Sequence, residues 1–305
     1  MANKNSKTDA YQIVTDRVIQ LMEQGTCPWH RPWHTLNAAP KNFHSDHQYS
    51  GINWILLNAL GFEIPFFMTF KQVKDRKGSI RKGSKGLPVV YWNFVKRIDE
   101  SGEEKKIPFL KTYKVFNCAD IEGIEFPCPE LPSREFNPIE AAEKVIQNWK
   151  DCPPIKHGSN RACYHPDDDK IAMPNKSRFK SDQEYYSVMF HEMAHATGHR
   201  SRLKRLKPAT FGSKNYGKEE LVAEMTSAFL CAHCGIDNSV IENQAAYLKC
   251  WINTLKGDPR LIITAATAAQ KAANYILNKT PADQSTPAQN DRTEPRTEQL
   301  DLFAA

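Results

Sequence analysis

His191-Glu192-Met193-Ala194-His195 sets two imidazoles four positions apart, with a carboxylate beside the first. On a helix, positions i and i+4 share one face, so both rings can reach one metal ion. The chemistry served by such a set is hydrolysis. The ion polarises the electrophile and Glu192 takes a proton from water. Zn2+ suits these donors, and Mn2+ is an alternative divalent ion. HExxH alone also occurs in helices that merely carry two surface histidines, so context has to separate the readings. Tyr185, Val188 and Met189 give the preceding turns an apolar face. Downstream, Glu220 and Glu224 are again four apart in Glu219-Glu220-Leu221-Val222-Ala223-Glu224. One can ligate while the other holds a histidine ring. Glu224 is expected as ligand and Glu220 as its support, with the reverse assignment open. Two histidines and one glutamate leave a coordination position for water, the pattern of a catalytic centre. Gly198 continues the motif as HExxHxxG, but position 201 is Ser, so no third histidine follows. Tyr216 and His199 are candidates to stabilise an oxyanion.

A second set of residues suits a polyanion. Between Lys71 and Arg97 stand nine Lys or Arg against Asp75 alone, and between Arg200 and Lys218 seven with no acid. Single-strand binders need cations along the phosphates and rings on which bases stack. Trp29, Arg31, Trp33, Tyr49 and Asn53 supply rings and polar groups, and Lys71, Gln72, Arg81, Lys82 and Lys85 supply mainly charge. Glycines 83 and 86 let a backbone approach phosphate closely.

The elements that must position these groups follow from periodicity and punctuation. Residues 8–24 read as an amphipathic helix stopped by Gly25, and 51–60 as a short one. Leu87–Arg97 and Ile107–Phe116 read as a hairpin about a polar turn. Prolines between 127 and 138 mark a linker and a boundary near 130. A helix then covers 140–149, and two short strands lie within 161–173. Ser181 with Glu184 opens the helix that carries HExxH and runs to about Gly198. Three further helices cover 218–233, 239–255 and 260–277. The fold expected is α+β: an N-terminal α+β domain (1–130), then a mostly helical domain with a small sheet (131–279). Residues 280–305 are polar and are expected to be a disordered tail.

Composition sets the class. The chain has 305 residues, 40% hydrophobic and 25% charged, and a net charge of +6. That is enough for ordinary cores and excludes a disordered chain. No stretch has the length and apolarity of a membrane span, so no membrane partner is expected. The eight cysteines, with no apolar leader, point to reduced thiols and a cytoplasmic protein.

Four N-terminal blocks stand out: Gly25-x-x-Pro28-Trp29-x-x-Pro32-Trp33, Tyr49-x-Gly51-x-Asn53, Thr69-Phe70-Lys71-Gln72 and Lys82-Gly83-x-Lys85-Gly86. They resemble the N-terminal domain of ArdC-type antirestriction proteins and part of some plasmid DNA primases. Phe190 to Leu203 and Glu219 to Glu224 resemble the zincin-like metallopeptidase domain of the same family. The resemblance spans roughly residues 10 to 277. It implies a plasmid or mobile-element protein whose N-terminal domain binds single-stranded DNA. It also implies protection of incoming DNA from restriction. Hydrolysis of a peptide bond in an unidentified protein substrate is the expected use of the metal site, a step that the resemblance itself does not tie to protection. Separately, Gln299-Leu300-Asp301-Leu302-Phe303 resembles the peptide by which bacterial proteins dock on the DNA-polymerase sliding clamp. Gln299, Leu300, Leu302 and Phe303 would make the contacts, and the alternative function is a replication or transfer accessory whose metal is structural.

Overall fold

The computed structural model describes residues 9–29, 39–62, 64–98, 104–127, 138–206, 214–236 and 245–279. Helix α1 (Ala10–Glu23) starts where Asp9 accepts a hydrogen bond from the Tyr11 amide, and buries Val14, Val18, Ile19, Leu21 and Met22. Next come β1 (Lys41–Asn42), α2 (Gly51–Asn58), β2 (Phe66–Thr69), α3 (Phe70–Asp75) and β3 (Ser79–Ile80). Strands β4 (Leu87–Ile98) and β5 (Glu104–Asn117) form the expected hairpin, in register from Leu87 opposite Val115 to Ile98 opposite Glu104. With β6 (Ile121–Glu122), these strands make a four-stranded sheet, β1-β2-β5-β4, and a small β3-β6 pair.

The second half is α4 (Pro138–Asn148), β7 (Ile155–His157), β8 (Cys163–His165), β9 (Lys170–Met173), α5 (Asp182–Thr197), α6 (Lys214–His233), α7 (Ala245–Gly257) and α8 (Leu261–Ile276). The sheet order is β7-β9-β8, so β8 is an edge strand. Helix α5 begins as the sequence pattern predicts, with Ser181 Oγ accepting from the Glu184 amide. Glu184 reaches back to the Lys180 amide rather than to that of Ser181.

Met189, Phe190 and Met193 of α5, Leu221, Val222 and Met225 of α6, and Ala265, Ala266, Ala269 and Ala273 of α8 are buried together. The alanines keep α8 thin and let α6 pack close to it.

The same core contains Val14 and Val18 of α1, Trp29, and Ile52, Ile55 and Leu56 of α2. Polar bonds fix this joint: Thr15 Oγ1 donates to Pro259 O at 2.7 Å, and the Gly51 amide to Gln270 Oε1 at 3.0 Å. Sequence punctuation alone suggests two separately packed parts. The boundary expected near 130 lies outside the described residues, and one core runs across it. Apart from that core, the described N-terminal residues form two small buried clusters. One is built on Leu57, Phe67, Val89 and Val115, the other on Met68, Val73 and Ile121. No described helix is long and apolar enough to cross a membrane.

Candidate metal centre and nucleic-acid surface

Helix α5 presents His191 and His195 on one face, as their spacing requires. The two Nε2 atoms lie 3.1 Å apart. Glu220 of α6 completes the set, with carboxylate oxygens 3.4 Å from His191 Nε2 and 3.6 Å from His195 Nε2. An ion bonded tetrahedrally at about 2.0–2.2 Å separates its ligand atoms by about 3.3–3.6 Å. The three donors therefore already stand at the spacing of a shared cation. Their ligand atoms lie within 4.8 Å of one another.

The sequence reading gives Glu224 as ligand and Glu220 as its support, with the reverse open; among the described residues Glu220 is the glutamate grouped at ligand distance with both imidazoles. The reason is the register of the helix pair. Ser227 Oγ donates to Ser187 O at 2.8 Å, so α6 runs back along α5 toward its N-terminus. Glu220 then lies level with the ring tips, and Glu224 one turn deeper. Glu224 acts on His191 through its charge.

Glu219 is the residue that spacing alone missed. Its Oε1 is 3.4 Å from His195 Nδ1, the ring nitrogen that faces away from the cation position. A carboxylate there fixes the tautomer and leaves Nε2 free to ligate. Arg205 holds Glu219 with two hydrogen bonds, of 2.8 and 2.7 Å, and also donates to Ala194 O at the end of α5. The Glu-Glu doublet is the signal that could have found this. Gly198 permits the arrangement, since a Cβ there would stand 2.8 Å from Leu206 Cγ and 3.2 Å from Arg205 Nη2.

Glu192 is buried, and its Oε2 accepts from the Tyr164 amide of β8 at 2.7 Å. A network behind β8 keeps that amide in place. Tyr164 Oη donates to Asp169 at 2.7 Å, and Arg202 binds Asp169, Tyr164 Oη and Ala196 O. Asp169, in the turn between β8 and β9, thus has a supporting role. His199 belongs to this periphery, bonded to Ser201 at 2.7 Å. Tyr216 instead lines the cleft, and burial beside the Glu220 carboxylate pushes its phenol up to about 12.

The electrostatics favour a cation. Burial alone would lower the His191 imidazole, but the hydrogen bond to Glu220 and the charges of Glu224, Glu192 and Glu220 raise it well above its ordinary range. Burial would raise Glu220, yet both imidazoles and the Tyr216 hydroxyl hold it low. The whole lies in a cleft of about 750 Å³. Burial and the nearby carboxylates raise the Cys163 thiol, which keeps it protonated beside them.

The N-terminal candidates divide. Trp29 is fully buried, edge-on to Trp251 at 6.2 Å, with no ring face for a base. Trp29→Ala is accordingly expected to destabilise the fold by about 3–5 kcal/mol in denaturant unfolding, with DNA affinity of the folded chain unchanged. Tyr49 is buried against Phe67. Asn53 bonds both the carbonyl and the amide of Val90, each at 2.8 Å, closing the open edge of β4. Gln72 makes the capping box of α3 and accepts from Asn42. These are packing roles. Arg31 and Trp33 lie outside the described residues, as do Gln299, Leu300, Leu302 and Phe303.

Lys71, Lys82 and Lys85 are exposed, and Arg81 is exposed with Glu122 at 3.4 Å. Phe70 and Tyr113 are exposed, each next to a lysine in sequence. Alternation along β5 could have found Tyr113, in Lys111-Thr112-Tyr113-Lys114. Arg202 and Arg205, read in the basic run as polyanion contacts, are tied to Asp169 and Glu219 instead.

Residues 140–268 match the model of a zincin-like metallopeptidase family, and residues 8–116 that of the N-terminal domain of anti-restriction factor ArdC. A Sinorhizobium fredii (strain NBRC 101917 / NGR234) protein described as uncharacterized protein y4eC is 33% identical over 285 residues, 88% of this chain and 92% of that protein. DNA primase TraC of Escherichia coli is 34% identical over 293 residues, which are 89% of this chain but only 27% of the primase. The metal-free crystal structure of antirestriction protein ArdC from plasmid R388 is 37% identical, with a TM-score of 0.71, covering 88% of this chain and 98% of that one. Its Mn(II)-bound crystal structure gives 36% and 0.70, with 88% and 97% covered. With both family blocks in order and a relative matched over nearly its whole length, the chain belongs to the ArdC-type antirestriction family.

Proposed function

We propose that this protein shields incoming DNA from restriction by holding single-stranded DNA on its N-terminal surface and cutting a peptide bond at a divalent metal centre. The observation that carries the reading is the convergence of His191, His195 and Glu220 at ligand spacing beside the amide-anchored Glu192. His191, His195 and Glu220 would hold the ion. Zn2+ and Mn2+ both suit two imidazoles and a carboxylate, and the R388 relative has a structure described as Mn(II)-bound. When bound, the ion polarises the scissile carbonyl and acidifies water.

The rest of the work is done by this chain's own groups. Glu192 accepts the proton from the attacking water and passes it to the leaving amine. The Tyr164 amide orients one of its oxygens, leaving the other for that exchange. Glu219 keeps the His195 ring turned, and Tyr216 offers a hydroxyl from the cleft wall. Cys163 and Tyr164 line the cleft on the β8 side, where an extended peptide can lie.

For DNA, Lys82 and Lys85 on the turn before β4 are the proposed phosphate contacts, with Phe70 and Tyr113 as the available rings. The β4–β5 register sets Lys96 opposite Lys106 and Arg97 opposite Lys105. Titrating the full chain with a labelled oligothymidylate at several salt concentrations tests this. Affinity should fall steeply with salt, and Lys82→Ala with Lys85→Ala should lower the log–log slope by about 1 per lost phosphate contact. Salt-independent binding, or none, would remove DNA from the function.

A further inference from the structure

The metal cleft has an acidic floor and a basic rim. Glu192, Glu219 and Glu220 line its floor, while Arg161, Lys204 and Lys218 line it from the walls and are exposed. None of these three cations forms an ion pair with a described acid. The stretch of the α5–α6 connection outside the described residues cannot supply one either, since no acid occurs between Arg200 and Lys218. Arg161 comes from the segment before β8, Lys204 from the turn after α5 and Lys218 from α6, so three separate elements bring cations to one cleft. Lys204 adds a second observation. Its backbone is left-handed, φ 53°, a conformation that glycine adopts more cheaply.

We infer that this cleft selects a peptide carrying aspartate or glutamate near the bond lying over Glu192. This rests on the peptidase reading above and names its substrate class. An extended peptide presents a neutral backbone to the carboxylate floor, while side chains some residues away reach the rim. A nucleic acid strand fits less well, because its phosphates would pass over three carboxylates. Charge complementarity of this kind sets specificity more than raw affinity.

The test uses the full chain carrying Glu192→Gln and loaded with Mn(II), so that nothing is cut. The probes are three labelled peptides with one apolar centre, flanked by glutamates, glutamines or lysines. The glutamate peptide should bind at least about ten-fold tighter than the glutamine one, with the lysine one weakest. Adding Arg161→Gln, Lys204→Gly and Lys218→Gln should collapse that preference. Lys204→Gly alone should weaken it without lowering Tm, since glycine relieves the backbone. Equal binding of the three peptides overturns the proposal. So does displacement of the glutamate peptide by oligothymidylate whose own binding falls with the same substitutions, for the rim would then serve DNA. Incubation of the peptides with wild-type protein separates the two readings. Selective binding without cleavage keeps the acidic preference and removes the peptidase. Cleavage of all three at equal kcat/KM does the opposite.

Discussion

Glu192→Gln is expected to lower peptide hydrolysis by about 10²–10⁴-fold, the contribution of one positioned proton acceptor. It should leave metal content, stability and oligonucleotide binding unchanged. The amide side chain has the shape of the carboxylate, and its oxygen can still accept from Tyr164 N, now 2.7 Å away. The imidazoles and Glu220 do not depend on Glu192 for their placement. The variant therefore separates hydrolysis from DNA holding within one folded protein. Transfer of unmodified DNA into a restricting recipient is the decisive measurement. Loss of protection in Glu192→Gln is the expected result. Protection equal to wild type, in a variant shown to be folded and metallated, would mean that holding DNA is sufficient and that the centre serves another purpose.

The second large effect separates Glu220 from Glu224. Glu220→Ala removes the carboxylate whose two oxygens stand 3.4 Å from His191 Nε2 and 3.6 Å from His195 Nε2. Affinity for Zn2+ or Mn2+, measured by calorimetry, should fall by more than about 100-fold, beyond the 10–100-fold typical of supporting partners. Glu224→Ala removes a charge that acts on His191, and a fall of about 10-fold or less is expected. An equal loss in both would mean that the two carboxylates share the ion. A larger loss in Glu224→Ala would restore the order read from sequence.

The contrast between these glutamates shows where sequence reasoning stops. The spacing in HExxH is a property of one helix, so His191, Glu192 and His195 were legible before any fold was known. The choice between positions 220 and 224 depends on how α6 slides against α5, which the Ser227–Ser187 bond sets and no periodicity reports. Glu219 was missed for the same reason, since its role exists only once Arg205 folds back to hold it. The hairpin and the main helices were legible because their apolar patterns are local. Trp29 was misjudged because an aromatic beside basic residues looks alike whether it faces a base or a core. Burial against Trp251, more than two hundred positions away, decided that.

The joint core has an evolutionary consequence. Helices α1 and α2 of the ArdC-type N-terminal block share buried surface with the zincin-like block. A crossover between the blocks would seat one parent's α1 on another parent's α8, with mismatched side chains in a dry interior. Inheritance of the pair as a single cassette avoids that penalty. The match to the TraC primase fits this mode of descent, because both blocks occur together there inside a far longer polypeptide. Sequence drift in α1 should then track drift in α7 and α8 more closely than drift in the neighbouring β-sheet, as in two halves of one gene product that never separated.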